Sequence, residues 1–143
     1  MKLTLDQMLL KAATVAARAH NGMVRKDGTP YFAHPVKVAI RCETKEQKIV
    51  ALLHDVVEDT SVTFQELREI GFTEEIITAI DSVTKRVGSP YSDLILRARQ
   101  NEIGRIVKLA DIADNLEDQS ALDPDEAAFL TKRYTKALEV LNV

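Results

Sequence analysis

Two histidines and several carboxylates are spaced so that they could share one cation. His34 precedes Pro35. His54 and Asp55 follow the apolar run Ala51-Leu52-Leu53, and Glu58-Asp59 come about one helical turn later. Asp111 ends the segment Val107-Lys108-Leu109-Ala110-Asp111. A charge at the end of a core segment needs a partner, because burying it unpaired is costly. Imidazole and carboxylate together suit a mid-series divalent metal better than calcium, which prefers oxygen ligands throughout. We therefore expect His34, His54, Asp55 and Asp111 to bind one such ion, with positions left open for water and substrate. A bound divalent ion makes hydroxide available near neutral pH by acidifying water. Glu58 and Asp59 are the candidate catalytic pair, orienting that water, taking its proton or protonating a leaving group.

These residues must be positioned by helices. On a single helix at about 100° per residue, His54, Asp55, Glu58 and Asp59 fall at roughly 0°, 100°, 40° and 140°, on one face. Apolar residues recur at helical spacing almost throughout, and strand-like alternation is absent. Thr4-Leu5-Asp6-Gln7 reads as a capping box for a first helix ending near His20. Residues 21–33, with Gly22, Gly28 and Pro30, read as a loop. Helices are then expected from Pro35 to about Cys42 and from about Lys45 to Val57. Others follow between the cap at Thr63 and Gly71, from Thr73 to about Lys85, and over Tyr91–Gln100 and Ile103–Asp118. A last one runs from the Asp123-Pro124 cap to Val140. The expectation is an all-α chain of about eight helices.

The bulk properties agree. The chain has 143 residues, 45% hydrophobic and 29% charged, enough for one domain over 1–143 with a full core. The net charge of −3 argues against general binding to nucleic acid or a membrane surface. Cys42 is the only cysteine, so there is no disulfide framework or cysteine zinc site, and its place on an apolar helix face points to packing. No signal-peptide pattern opens the chain and no apolar run reaches the roughly 20 residues of a membrane span. A cytoplasmic location is expected. Oligomeric state is not legible.

In these residues the chain resembles the HD-domain metal-dependent phosphohydrolases. It is most similar to the RelA/SpoT-type guanosine polyphosphate 3′-pyrophosphohydrolase domain and the small alarmone hydrolases. The likeness runs from Ala19-His20-Asn21-Gly22 and Arg25-Lys26-Asp27-Gly28-Thr29-Pro30-Tyr31-Phe32-Ala33-His34-Pro35, through Leu52-Leu53-His54-Asp55-Val56-Val57-Glu58-Asp59-Thr60, to Val107–Asp111 and Asn115-Leu116. It implies an HD-domain fold around one metal, with His34, His54, Asp55 and Asp111 as ligands. Manganese is implied first, ahead of iron, zinc, cobalt and nickel. It implies catalysis by Glu58 and Asp59, guanine contacts from Arg25 and Lys26, and a nucleotide pocket lined by Tyr31 and Asn115. The implied reaction removes pyrophosphate from the 3′ position of ppGpp or pppGpp by attack of a metal-bound hydroxide, with a small-molecule nucleotide as the partner. The resemblance includes no synthetase segment.

Three positions depart from the family pattern. Ile112 stands where a basic residue is common, Glu117-Asp118 where an Arg is common, and Met23-Val24 where a Gln often stands. We expect all three beside the base pocket, which keeps open an HD phosphohydrolase acting on another nucleotide, such as a monophosphatase or a phosphatase of a phosphorylated dinucleotide. A non-catalytic nucleotide-binding regulator is the reading from another class; it would not need Glu58 and Asp59. Among the remaining residues, Lys108 could contact a phosphate or pair with Glu58. Lys85 and Arg86 suit a helix C-terminus, and so does His20, as a surface histidine. Tyr31 could stack on a base or fill the core, and Asp114 and Asp118 are expected on a solvated rim.

Overall fold

The computed structural model describes residues 2–119 and 121–143. Nine α-helices lie within them: α1 Leu5–Ala19, α2 Ala33–Ile40, α3 Lys45–Leu53, α4 Val56–Asp59, α5 Phe64–Ile70, α6 Glu74–Ser82, α7 Tyr91–Arg99, α8 Glu102–Glu117 and α9 Pro124–Leu141. The one extended feature among the described residues is an isolated antiparallel bridge between Val24 and Pro30. The all-α reading holds.

Local chemistry starts the helices. Thr4 and Gln7 form the reciprocal capping box on α1, and Thr44 and Gln47 form another on α3. The side chains of Thr63, Thr73, Asn101 and Asp123 each accept a backbone N–H in the first turn of the next helix. Each such cap satisfies a donor the helix itself cannot, contributing about 1 kcal/mol.

α3 is the axis of the core. It contacts α1, α2, α6 and α8, so no side of its C-terminal half faces water and Ile49 through Leu53 are all buried. The expected helix to Val57 stops instead at Leu53. His54 Nδ1 donates to the carbonyl of Ala51 at 2.5 Å, competing for an acceptor that the next helical turn would use. His54 and Asp55 form a turn between α3 and α4, so the four residues do not lie on one continuous helix; Asp55 is the N-cap of α4 and keeps its carboxylate beside those of Glu58 and Asp59.

α8 crosses the same core and carries polar residues into it: Lys108, Asp111 and Asp114 are buried beside Val107 and Ala110. Ile112, expected beside a base pocket, is fully buried in the hydrophobic core, because the helix turns that position toward its packed side. Gly104 lets α8 approach α6 closely. A Cβ there would lie 2.0 Å from Ser82 Oγ and 3.2 Å from Ser82 Cβ. Gly104→Ala gains up to about 1 kcal/mol in helix propensity but overpacks a buried contact. We expect a net loss of about 1–2 kcal/mol in urea unfolding, largely restored by adding Ser82→Ala. An undiminished loss in the double variant would count against the contact as the cause.

Candidate metal centre

The turn after α3, the first turn of α2 and the middle of α8 bring four side chains to one point. His34 Nε2 lies 2.8 Å from Asp111 Oδ1 and 3.9 Å from Asp55 Oδ2, and His54 Nε2 lies 3.0 Å from Asp55 Oδ2 and 3.4 Å from Asp111 Oδ1. His34, His54 and Asp111 are buried, each offering an atom within 4.8 Å of the others.

The tautomers decide what this corner can hold. His34 Nδ1 lies 2.7 Å from Asp114 Oδ2. A carboxylate only accepts, so Nδ1 carries the proton, and the carbonyl of Ala51 imposes the same on His54 Nδ1. Wherever Nε2 carries no proton, it presents a lone pair to carboxylate oxygens, and buried His54 Nε2 has no hydrogen-bond partner. Lone pairs facing lone pairs at these distances need positive charge between them. Two nitrogens and two carboxylates fit a divalent cation of the middle series, and acceptors on the far nitrogens are the usual way of orienting ligating rings. Burial opposes charge on His54, but Asp55 and Asp111 outweigh it and raise its pKa well above the ordinary value. The same field favours any cation.

Neighbouring groups fix the carboxylates. Tyr31 donates to Asp55 Oδ2 at 2.6 Å and lies 3.4 Å from Asp59 Oδ2, tying a candidate ligand to the acid pair. Lys108 donates to Asp111 Oδ2 at 2.9 Å, leaving Oδ1 toward the histidines. Lys108 thus pairs with Asp111 and not with Glu58, whose Oε1 accepts the Lys85 backbone N–H at 2.6 Å. Burial opposes ionisation of Asp111, yet Lys108 and His54 hold its carboxyl well below the usual range.

Glu58 and Asp59 are exposed, and their carboxylates lie within 4.8 Å of Asp55's. Partial burial, and then the charges of Asp55 and Glu58, raise the Asp59 carboxyl to about 6, a value suited to proton transfer near neutrality.

The loop before α2 is a short hairpin. Arg25 N–H donates to Thr29 and Tyr31 N–H to Met23, and Gly28 takes the turn at φ +85°, where side chains are strained. It lays Arg25 across the C-terminal part of α8, 3.6 Å from Asp114, 3.4 Å from Asp118 and 3.5 Å from Asn115 Oδ1. Lys26 pairs with Glu126 of α9. Arg25, Lys26, Asp27 and Asp118 line a cavity of about 100 Å³. Asn115 bridges inward, donating to Asp111 at 3.3 Å and reaching Tyr134 at 3.5 Å.

Besides Ile112, two side chains differ from the sequence expectation. Asp114 is not on a rim: it is 1% exposed and accepts from His34. Its spacing of three from Asp111 on one helix was the available signal. His20 is not a surface residue. It is buried with both ring nitrogens unpartnered, 4.8 Å from the Tyr31 ring, and burial lowers its pKa. Arg86 pairs with Asp81, and Cys42 is buried, its thiol directed at the Val38 carbonyl.

With the four-residue corner in place on its helices, comparison with known proteins gives the class. The HD-domain profile matches residues 12–114, and the chain belongs to the HD-domain family. Within it, the chain is 38% identical over 131 residues to human guanosine-3′,5′-bis(diphosphate) 3′-pyrophosphohydrolase MESH1, covering 82% of this chain and 72% of that one. It is 34% identical over 150 residues to the bifunctional (p)ppGpp synthase/hydrolase SpoT of Escherichia coli K12, covering 94% of this chain but only 20%, about a fifth, of that protein. The solved structure of a metazoan SpoT ortholog, described as hydrolysing ppGpp, shares the fold: TM-score 0.82, 24% identity, covering 94% of this chain and 85% of that one. No helix among the described residues is long and apolar enough to cross a membrane.

Proposed function

We propose that residues 1–143 act as one hydrolase unit that removes pyrophosphate from the 3′ position of ppGpp or pppGpp with a divalent metal, manganese first. The observation that carries this reading is the meeting of His34, His54 and Asp111 with Asp55, which also stands against the Glu58–Asp59 pair. Family membership and the activities named for MESH1 and SpoT support it.

The four-residue corner would hold the ion, and a divalent ion bound there supplies a Lewis acid and acidifies water. The chain's own groups do the rest. Tyr31 holds Asp55 in register with Asp59. Asp59, near half-protonated at about pH 6, takes the proton of the attacking water and can return it to the ribose 3′-oxygen as the bond from that oxygen to phosphorus breaks. Glu58, fixed by the Lys85 N–H, orients the water. Arg25, Lys26 and Asn115 meet the nucleotide, Arg25 through its planar guanidinium. Lys108 is a positioning residue acting through Asp111.

Incubation of the purified protein with Mn²⁺ and ppGpp should yield GDP and pyrophosphate on anion-exchange chromatography. Turnover of another nucleotide with none of ppGpp selects the second reading, which one observation favours: Asp118 and Asp114 already hold Arg25, and Glu117 holds Arg41. No turnover of any nucleotide rejects hydrolysis.

Metal affinity should rise with pH. In the metal-free protein the raised pKa of His54 means its proton stabilises the fold fully below the ordinary value of 6.5, and that contribution fades as pH climbs through the raised pKa. The cation needs the same Nε2 without its proton. Mn²⁺ should therefore raise the melting temperature more at about pH 8 than at about pH 6, with proton release measurable by calorimetry in buffers of different ionisation enthalpy. A flat dependence would exclude proton–metal competition at this ring.

A further inference from the structure

A second cavity lies between α7 and α9, separated from the metal corner by Tyr91, whose ring centre lies 5.5 Å from Lys108 Nζ. Its volume is about 290 Å³, close to the lower end of small-molecule sites. The lining is apolar: Tyr91, Ile95, Leu96, Ala137 and Val140. The polar exceptions include two cations of α9. The Arg133 guanidinium lies 3.6 Å from the centre of the Tyr91 ring, and Lys136 stands one turn of helix on. Neither cation has a carboxylate partner among the described residues, although Arg25, Lys26, Arg41, Arg68, Arg86 and Lys108 all do. The Tyr91 hydroxyl is buried with no hydrogen-bond partner.

We propose that this cavity binds a small amphipathic anion: an acyl chain against the apolar wall and a carboxylate between Arg133 and Lys136. The wall decides the body of the ligand. A nucleobase carries ring donors and acceptors that these apolar side chains would leave unpaired, at a cost comparable to a lost hydrogen bond. An acyl chain asks only for removal from water. The cations decide the head. Arg133, stacked on Tyr91 and so pre-oriented, and the flexible Lys136 present donors to a carboxylate, with charge-assisted bonds roughly twice as strong as neutral ones. A free molecule is favoured over a bilayer: the site is a recess between two helices, and the chain as a whole carries a net charge of −3.

Octanoate is the probe. Calorimetric titration of the whole chain should show saturable one-to-one binding, with octylammonium and octanol each about tenfold weaker or more. Arg133→Gln with Lys136→Gln should weaken octanoate about tenfold. Ser92→Trp, at an exposed position of the lining, should fill the recess and abolish binding while circular dichroism stays unchanged. Lys132→Gln, a neighbouring cation outside the lining, should leave affinity unaltered. The assignment is overturned by absence of saturation, by equal affinity for octylammonium, or by retention of binding in both the double variant and Ser92→Trp. Association only with phosphatidylglycerol vesicles would also overturn it, placing the affinity on a surface.

Discussion

Asp111→Asn should abolish Mn²⁺ binding and lower the stability of the metal-free protein by about 3–5 kcal/mol. The two losses have different origins. Oδ1 faces both Nε2 atoms, at 2.8 Å from His34 and 3.4 Å from His54, and an amide offers no comparable negative oxygen to a cation. Oδ2 accepts from Lys108 Nζ at 2.9 Å, and both partners are buried. Burial disfavours the ammonium, and the Asp111 carboxylate is the largest of the groups that outweigh it. Neutralising Asp111 strands that charge in the core, which costs more than the intact pair contributes. Lys108→Met removes the stranded charge while keeping most of the stem's volume. The Lys108→Met/Asp111→Asn double variant should therefore recover most of the stability in urea but none of the metal binding. If the double variant is as unstable as the single one, the stranded ammonium is not the cause.

How far this arrangement could be read from the sequence differs by residue. The helices could be read almost completely, because their periods and caps are local: Thr4, Thr63 and Asp123 cap where their spacing says they should. The four-residue corner was legible as a set of ligating residue types following apolar runs. Its internal geometry was not. Periodicity extends α3 to Val57, whereas the helix stops at Leu53, where the His54 side chain bonds the Ala51 carbonyl, and no pattern of apolar residues encodes that competition. Asp114 and His20 illustrate the second limit. Charge and a place near a helix end suggest solvent, but the burial of both follows from α2 and the hairpin covering them, a tertiary fact. Asp114 tolerates burial because His34 and Arg25 meet it. Ile112 is the converse: compared with a family pattern it looks like a change in the pocket, and the phase of α8 places it in the core.

The Glu58→Gln/Asp59→Asn double variant should lose catalysis while keeping both fold and metal. Isosteric amides make the comparison clean. The amide introduced at position 58 still offers an oxygen to the Lys85 N–H, which lies 2.6 Å from Glu58 Oε1 in the unaltered chain. The amide at position 59 still offers one to the Tyr31 hydroxyl, 3.4 Å from Asp59 Oδ2. What disappears is the ability to accept a proton. A positioned general acid–base group contributes roughly 10²–10⁴-fold, and a base and the residue that orients the water for it do not add independently. We therefore expect turnover of ppGpp to fall at least about a hundredfold, each single variant to lie close to the double, and calorimetric Mn²⁺ affinity to remain at the wild-type value. Asp59→Asn should in addition erase the limb of the pH–rate profile near 6, the value to which its surroundings raise that carboxyl; Glu58→Gln should leave the limb in place. Substantial turnover in the double variant would move proton transfer to another group, and a joint loss of metal would make Glu58 or Asp59 part of the ligand set.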